Sequence, residues 1–122
     1  MAFLAVGIGG AFGAILRYLI SEWTIVSSSF PYVTLGINFL GSFLLAYLLI
    51  RQTFIQNPLM KLGITTGFLG GFTTFSTFSL EALSLLQQHM YGYAFIYVVC
   101  SSLGCVLASY VGFRLAKRGE HV

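Results

Sequence analysis

The chain has 122 residues, 57% of them hydrophobic and 16% aromatic, with only 7% charged and a formal net charge of +3. Soluble domains carry about 25% charged residues, and a short soluble chain needs far more charge than this to stay in solution. That excludes an ordinary soluble enzyme or nucleic-acid-binding domain and leaves a membrane protein.

The charges divide the chain. None occurs over residues 1–16, 23–50, 62–80 or 82–113, and each gap has about the length that crosses a bilayer as a helix, roughly 20 residues. The first helix is expected over about Ala2–Ser21. No Lys or Arg precedes its apolar run, and the first cation, Arg17, comes at the far end, so it reads as a retained span and not a signal peptide. Gly9 and Gly13 have helix-packing spacing. Arg17 is the only cation within a span; intramembrane ions usually face the protein interior or water, and snorkelling to the interface is the competing reading.

A loop over 27–31 ends in Pro31, which suits the start of a second helix, Tyr32–Ile50. Inside it lies Asn38, an amide that needs a partner when buried and can supply two donors. Asn57–Pro58 marks the next connection and opens a third span, Lys61–Gln88. Gly63, Gly67 and Gly71 again have packing spacing. From Gly67 the span reads Gly-Phe-Leu-Gly-Gly-Phe-Thr-Thr-Phe-Ser-Thr-Phe-Ser. Paired glycines followed by β-branched and hydroxyl residues have poor helix propensity, so a break is expected between Gly70 and Phe78. At membrane depth a break survives only where protein or a watery cavity satisfies the freed backbone groups, and freed carbonyls there can bind a cation. Phe75 and Phe78, three apart, share a helical face whose ring edges carry partial positive charge. With the hydroxyls of Ser76 and Thr77 beside them, that face suits a small dehydrated anion; packing aromatics with hydroxyl glue is the plainer reading.

The last helix is expected over about Gly92–Leu115, after a turn at residues 89–92. Tyr97 and Ser101, four apart, stack hydroxyls on one face; Gly104, Ala108 and Gly112 continue the small-residue pattern. Cys100 and Cys105 point in different directions and read as packing residues, not as a disulfide or a metal site. Short connections leave one four-helix transmembrane domain over 1–122, with a transport path more naturally between chains than inside one. Four spans place both termini with Arg51, Lys61, Arg114, Lys117 and Arg118, against Arg17 on the opposite side, so the termini are expected in the cytoplasm. No nucleophile–base pair, metal cluster or phosphate loop can be assembled: Asp is absent, and Glu22, Glu81, Glu120, His89 and His121 are scattered. An enzyme is not expected.

The string from Gly67 to Glu81 resembles the signature of the CrcB/Fluc family of fluoride channels almost letter for letter. Residues 9–14 with Arg17–Tyr18, and residues 34–38 with Gly41–Ser42, add to the likeness, which weakens in the fourth span. The resemblance implies an all-α membrane protein with a broken third helix, forming an antiparallel dimer in the plasma membrane. It implies two fluoride pathways and passive export of cytoplasmic fluoride. By position it makes Gly70 and Thr73 backbone-carbonyl ligands of a central structural sodium ion, and Phe75 and Phe78 the aromatic lining. Asn38, Ser76 and Thr77 become pathway residues, Tyr97 and Ser101 the start of a polar track, and Arg17 a vestibule residue. Cys105 stands where a further hydroxyl is expected, and Val33 where a Gly often precedes the Thr-Leu pair. The cation bias conflicts with insertion both ways, so the partner is expected to be either a second copy or an oppositely biased paralogue. A small multidrug transporter would need a carboxylate within the first span, which has none before Glu22. A noncatalytic assembly subunit would carry no ion flux.

Overall fold

The computed structural model describes residues 1–24, 29–51 and 56–119; Ser27 and Ser28 of the expected first loop, and Glu120 and His121, lie outside them. All the regular structure among them is helical: α1 (Ala2–Trp23), α2 (Tyr32–Ile50), α3 (Pro58–Leu62), a π-helical stretch (Gly63–Phe68), α4 (Leu69–Phe72), α5 (Phe75–Gln87) and α6 (Tyr91–Arg118). Three of these, α1, α2 and α6, are long and apolar enough to cross a membrane. The protein is therefore a multi-pass membrane protein.

The helix ends follow local chemistry. The side-chain carbonyl of Asn57 accepts from the N–H groups of Leu59 and Met60, and Pro58 occupies the first helical position, where no N–H is needed. At the other end of this region His89 takes a left-handed conformation (φ 59°). The Met90 N–H then bonds to Leu85 O at 2.9 Å and the His89 N–H to Leu86 O at 3.0 Å, so two otherwise orphaned carbonyls of α5 are satisfied as the chain turns into α6.

The stretch from Pro58 to Gln87 covers the third span expected over Lys61–Gln88 with a break between Gly70 and Phe78. It runs α, π, α, then two non-helical residues, then α again. The paired glycines Gly70 and Gly71 stay helical, and the backbone opens at Thr73 (ψ 156°) and Thr74 (φ −147°, ψ 124°). Close helix packing explains why the glycines do not end the helix. A Cβ on Gly71 would run into the Gly10 carbonyl, and one on Gly13 into Phe68 O and Phe72 N. The small residues serve as contact surfaces that let α1 lie against the π-helical stretch and α4 backbone to backbone.

The longest helix packs differently. Helix α6 lies along α2, with Gly112 against the Phe43 carbonyl and Gly104 under the Phe39 ring. Arg51, at the end of α2, bonds to Tyr47 OH (2.8 Å) and to Gly119 O (3.0 Å), joining the C-terminal ends of α2 and α6. Cys100 and Cys105 are both free thiols.

Substituting Gly13 by Ala is expected to lower the thermal unfolding midpoint in detergent, because the new methyl meets backbone and overpacking costs about 1–3 kcal/mol. Gly92, where a Cβ meets nothing within 4 Å, is expected to accept Ala with no loss of stability.

Candidate functional site

The interruption at Thr73–Thr74 organises the site. Asn38, reaching across from α2, pairs with the Thr74 backbone on both sides: its Nδ2 donates to Thr74 O (2.9 Å) and its Oδ1 accepts from the Thr74 N–H (2.8 Å). The amide thus does for an open backbone what a neighbouring strand would do. One Nδ2 hydrogen remains available for another acceptor. Thr74 then caps α5, its Oγ1 accepting from the Thr77 N–H at 3.1 Å.

These substitutions redirect the helical ladder. In an unbroken helix Thr74 N–H would bond to Gly70 O, and Thr77 N–H to Thr73 O. Here Asn38 takes the first donor and Thr74 Oγ1 takes the second. The carbonyls of Gly70 and Thr73 are both relieved of their helical partners. Gly70 is exposed, with open space where its side chain would be.

A cavity of about 370 Å³ opens beside the break. Its lining includes Asn38, Thr73, Thr74, Phe75, Phe78 and Ser101. Phe75 is exposed and stands 5.7 Å from Phe78, ring centre to ring centre, with the planes tilted at 38°. Phe78 in turn stands 5.1 Å from Tyr97, and Tyr97 meets Phe30 edge-on at 5.6 Å, so a column of rings runs from the break to the start of α2. Ser101 is buried, and its Oγ has no hydrogen-bond partner among the described residues. A buried hydroxyl without a partner is uncommon and calls for an explanation.

The other expected residues take distinct places. Tyr97 is fully buried and donates to Glu81 Oε2 at 2.6 Å, while Thr34 donates to Glu81 Oε1 at 2.8 Å. Glu81 therefore holds two hydroxyls and does not meet Arg17. It also borders a second, polar cavity of about 230 Å³ with Ser29, Ser84 and Gln88. Arg17 turns inward, its Nε to Gly71 O (3.3 Å) and its Nη1 to Thr77 Oγ1 (3.4 Å). Ser76 is exposed, with its Oγ 3.3 Å from Thr74 Oγ1. Of the residues singled out from sequence, Asn38, Phe75, Phe78, Ser101 and Thr73 share the first cavity. Ser76, Thr77 and Arg17 gather at the start of α5, and Tyr97 lies behind Phe78.

Sequence reasoning missed Thr74, Thr34 and Ser42. Thr74 had a legible signal, because Thr is a favoured residue immediately before a helix start, where its hydroxyl accepts from an otherwise unpaired backbone N–H. Thr34 had none: its link to Glu81, 47 positions away, exists only in three dimensions.

Apolar helices packed through glycine contacts, one region opened at mid-length by a two-residue break, and a largely apolar cavity beside it that carries a few hydroxyls and an amide define a multi-pass membrane protein built around an interrupted helix. The chain belongs to the CrcB family: the family model "CrcB-like protein, Camphor Resistance (CrcB)" matches residues 4–113. It is 43% identical over 117 residues to the "Fluoride-specific ion channel FluC" of Sulfurovum sp. (strain NBC37-1), covering 94% of this chain and 93% of that protein. It is 44% identical over 117 residues to "Fluoride-specific ion channel FluC 2" of Staphylococcus haemolyticus, covering 94% and 96%. To "Fluoride-specific ion channel FluC 1" of Desulfitobacterium hafniense it is 46% identical over 108 residues, covering 87% and 95%. By name these relatives are channels and not enzymes.

Replacing Asn38 by Ala is expected to destabilise the protein strongly, since each buried backbone group left unpaired costs about 1–3 kcal/mol. A thermal unfolding midpoint unchanged from the parent would show that Asn38 does not hold the break.

Proposed function

We propose that the chain is a fluoride channel, passing the anion through the membrane beside the Thr73–Thr74 break. The observation that carries this reading is Ser101: a buried hydroxyl with no hydrogen-bond partner among the described residues, on a residue that lines the cavity together with Asn38 and the two phenylalanines. Fluoride is small and strongly hydrated, so it enters only where donors replace its water. The Ser101 hydroxyl, the spare Asn38 hydrogen, the hydroxyls of Ser76 and Thr77, and the positive edges of Phe75 and Phe78 can supply them. Tyr97 and Glu81 extend the polar route toward the second cavity. Arg17 contributes a fixed positive charge near a vestibule. With the cell interior negative, each anion leaving gains about 2.3 kcal/mol per 100 mV, so export needs no coupled energy source.

The functional unit in this reading is an antiparallel dimer of two four-helix subunits with two pathways. Exposure of Phe75 and Gly70 in the single chain supports a partner there. A sodium ion fits the same face: Gly70 and Thr73 carbonyls have lost their helical donors, and two chains would bring four such oxygens together. Bound there, the ion would supply positive charge at mid-membrane and join the two subunits. The side that holds both termini carries Arg51, Lys61, Arg114, Lys117 and Arg118, while Arg17 is engaged inside the protein. That bias favours cytoplasmic termini and pairing with an oppositely biased paralogue. Two of the relatives carry the numbers 1 and 2 in their names, as paralogues do.

Purified protein in liposomes is expected to release fluoride and not chloride down an imposed gradient. Equal flux of the two anions, or none of fluoride from the chain alone and with a co-expressed paralogue, would defeat the reading. Exhaustive exchange of sodium for a large organic cation is expected to lower fluoride flux, measured on the same vesicles. Robust flux from the chain expressed alone would argue against an obligatory paralogue.

A further inference from the structure

Two hydroxyls at the start of α5, those of Ser76 and Thr77, are donors to an anion in the reading above, on which the following rests. Their hydrogen bonds make them unequal. A hydroxyl has one proton to give and two lone pairs to accept with. Thr74 Oγ1 gives its single proton to Thr77 Oγ1 at 3.0 Å. The 3.3 Å contact between Ser76 Oγ and Thr74 Oγ1 must therefore have Ser76 as its donor. Ser76 spends its proton inward.

Thr77 is the reverse case. Its Oγ1 accepts from Thr74 Oγ1 and from Arg17 Nη1 (3.4 Å), which fills both lone pairs. Its own proton then has to go elsewhere, and no protein acceptor is recorded for it among the described residues. The hydroxyls form a directed relay, Ser76 to Thr74 to Thr77, ending in one proton not committed to a protein acceptor among the described residues. A guanidinium behind the accepting oxygen polarises that hydroxyl further, because hydrogen bonds in a chain strengthen one another. Arg17 also spans the break itself. Its Nε holds Gly71 O on the α4 side, and its Nη1 holds Thr77 on the α5 side. The fork of a guanidinium reaches the two sides with two separate nitrogens held in a fixed plane, whereas the donors of a lysine all sit on one nitrogen at the end of a flexible stem.

We propose that Arg17 is a positioning residue that locks the Thr77 hydroxyl into the donor role, making Thr77, and not Ser76, the principal hydroxyl donor to the permeating anion at the start of α5. Arg17 acts through Thr77 and need not touch the anion.

The test is fluoride efflux from liposomes for the parent, Thr77→Ser, Thr77→Val, Ser76→Ala, Arg17→Lys and Arg17→Lys with Thr77→Val, each with a thermal unfolding midpoint. Thr77→Val is expected to lose at least about tenfold in flux, the loss expected for a hydrogen bond with a charged group, and Thr77→Ser to retain most of it. Ser76→Ala is expected to lose less than Thr77→Val. Arg17→Lys is expected to fall as Thr77→Val does, and the double variant to fall little further, since the two act as one unit. A purely structural staple would make the two losses multiply, with the unfolding midpoint falling in step with the flux. Parent-like flux in Thr77→Val, a larger loss in Ser76→Ala, or multiplying losses would overturn the proposal while leaving the fluoride reading intact. A parent that conducts no fluoride, either alone or with a co-expressed paralogue, would overturn both.

Discussion

The pairing of one side-chain amide with one open peptide holds this structure together at its weakest point. A two-residue gap in a helix exposes donors and acceptors that lipid cannot satisfy. Asn38 answers the Thr74 N–H and C=O together, and Thr74 in turn answers the first turn of α5. Without that amide, opening the helix at Thr73–Thr74 would leave polar backbone against hydrocarbon. With it, the break becomes a rigid element on which side chains can be placed.

The consequences spread outward from there. Thr73 and Gly70 carbonyls are turned out of the helical ladder, the Phe75 and Phe78 rings are set at the rim of a cavity, and Thr77 is brought under Arg17. The glycine contacts of α1 against the π-helical stretch and α4 keep the first half of the region fixed, and the chain continues beyond the break as α5. Polar groups that would be expensive alone are made tolerable in small closed sets: Glu81 with Thr34 and Tyr97, and Arg17 with Gly71 and Thr77. Ser101 is the exception, and an unsatisfied hydroxyl beside a cavity is where a small anion has something to gain.

Much of this was legible before any coordinates. Charge-free runs located the apolar helices, because charge is what lipid excludes. Propensity pointed to the region between Gly70 and Phe78 without choosing within it between the glycines, which are helical, and the threonines, where the backbone opens. Propensity describes a residue in isolation, whereas Gly71 and Gly13 lie against neighbouring backbone that only small residues admit. The Thr pair yields instead, since Asn38 and the Thr74 hydroxyl offer its backbone other partners. Asn38 was noticed as an amide needing company, but nothing in the chain says that its company is a peptide 36 positions away.

The sequence by itself determined the class: a chain this apolar, with cations gathered near span ends, has no stable state outside a membrane. It also determined that a poor helix lies at membrane depth, and it carried the family's third-span string. Only the tertiary structure decided which peptide opens, that Arg17 faces inward across the break and not outward to the interface, and that Tyr97 is spent on Glu81 while Ser101 is left unpaired. Hydrogen-bond partners far apart in the chain are chosen by packing, and local composition carries no record of that choice.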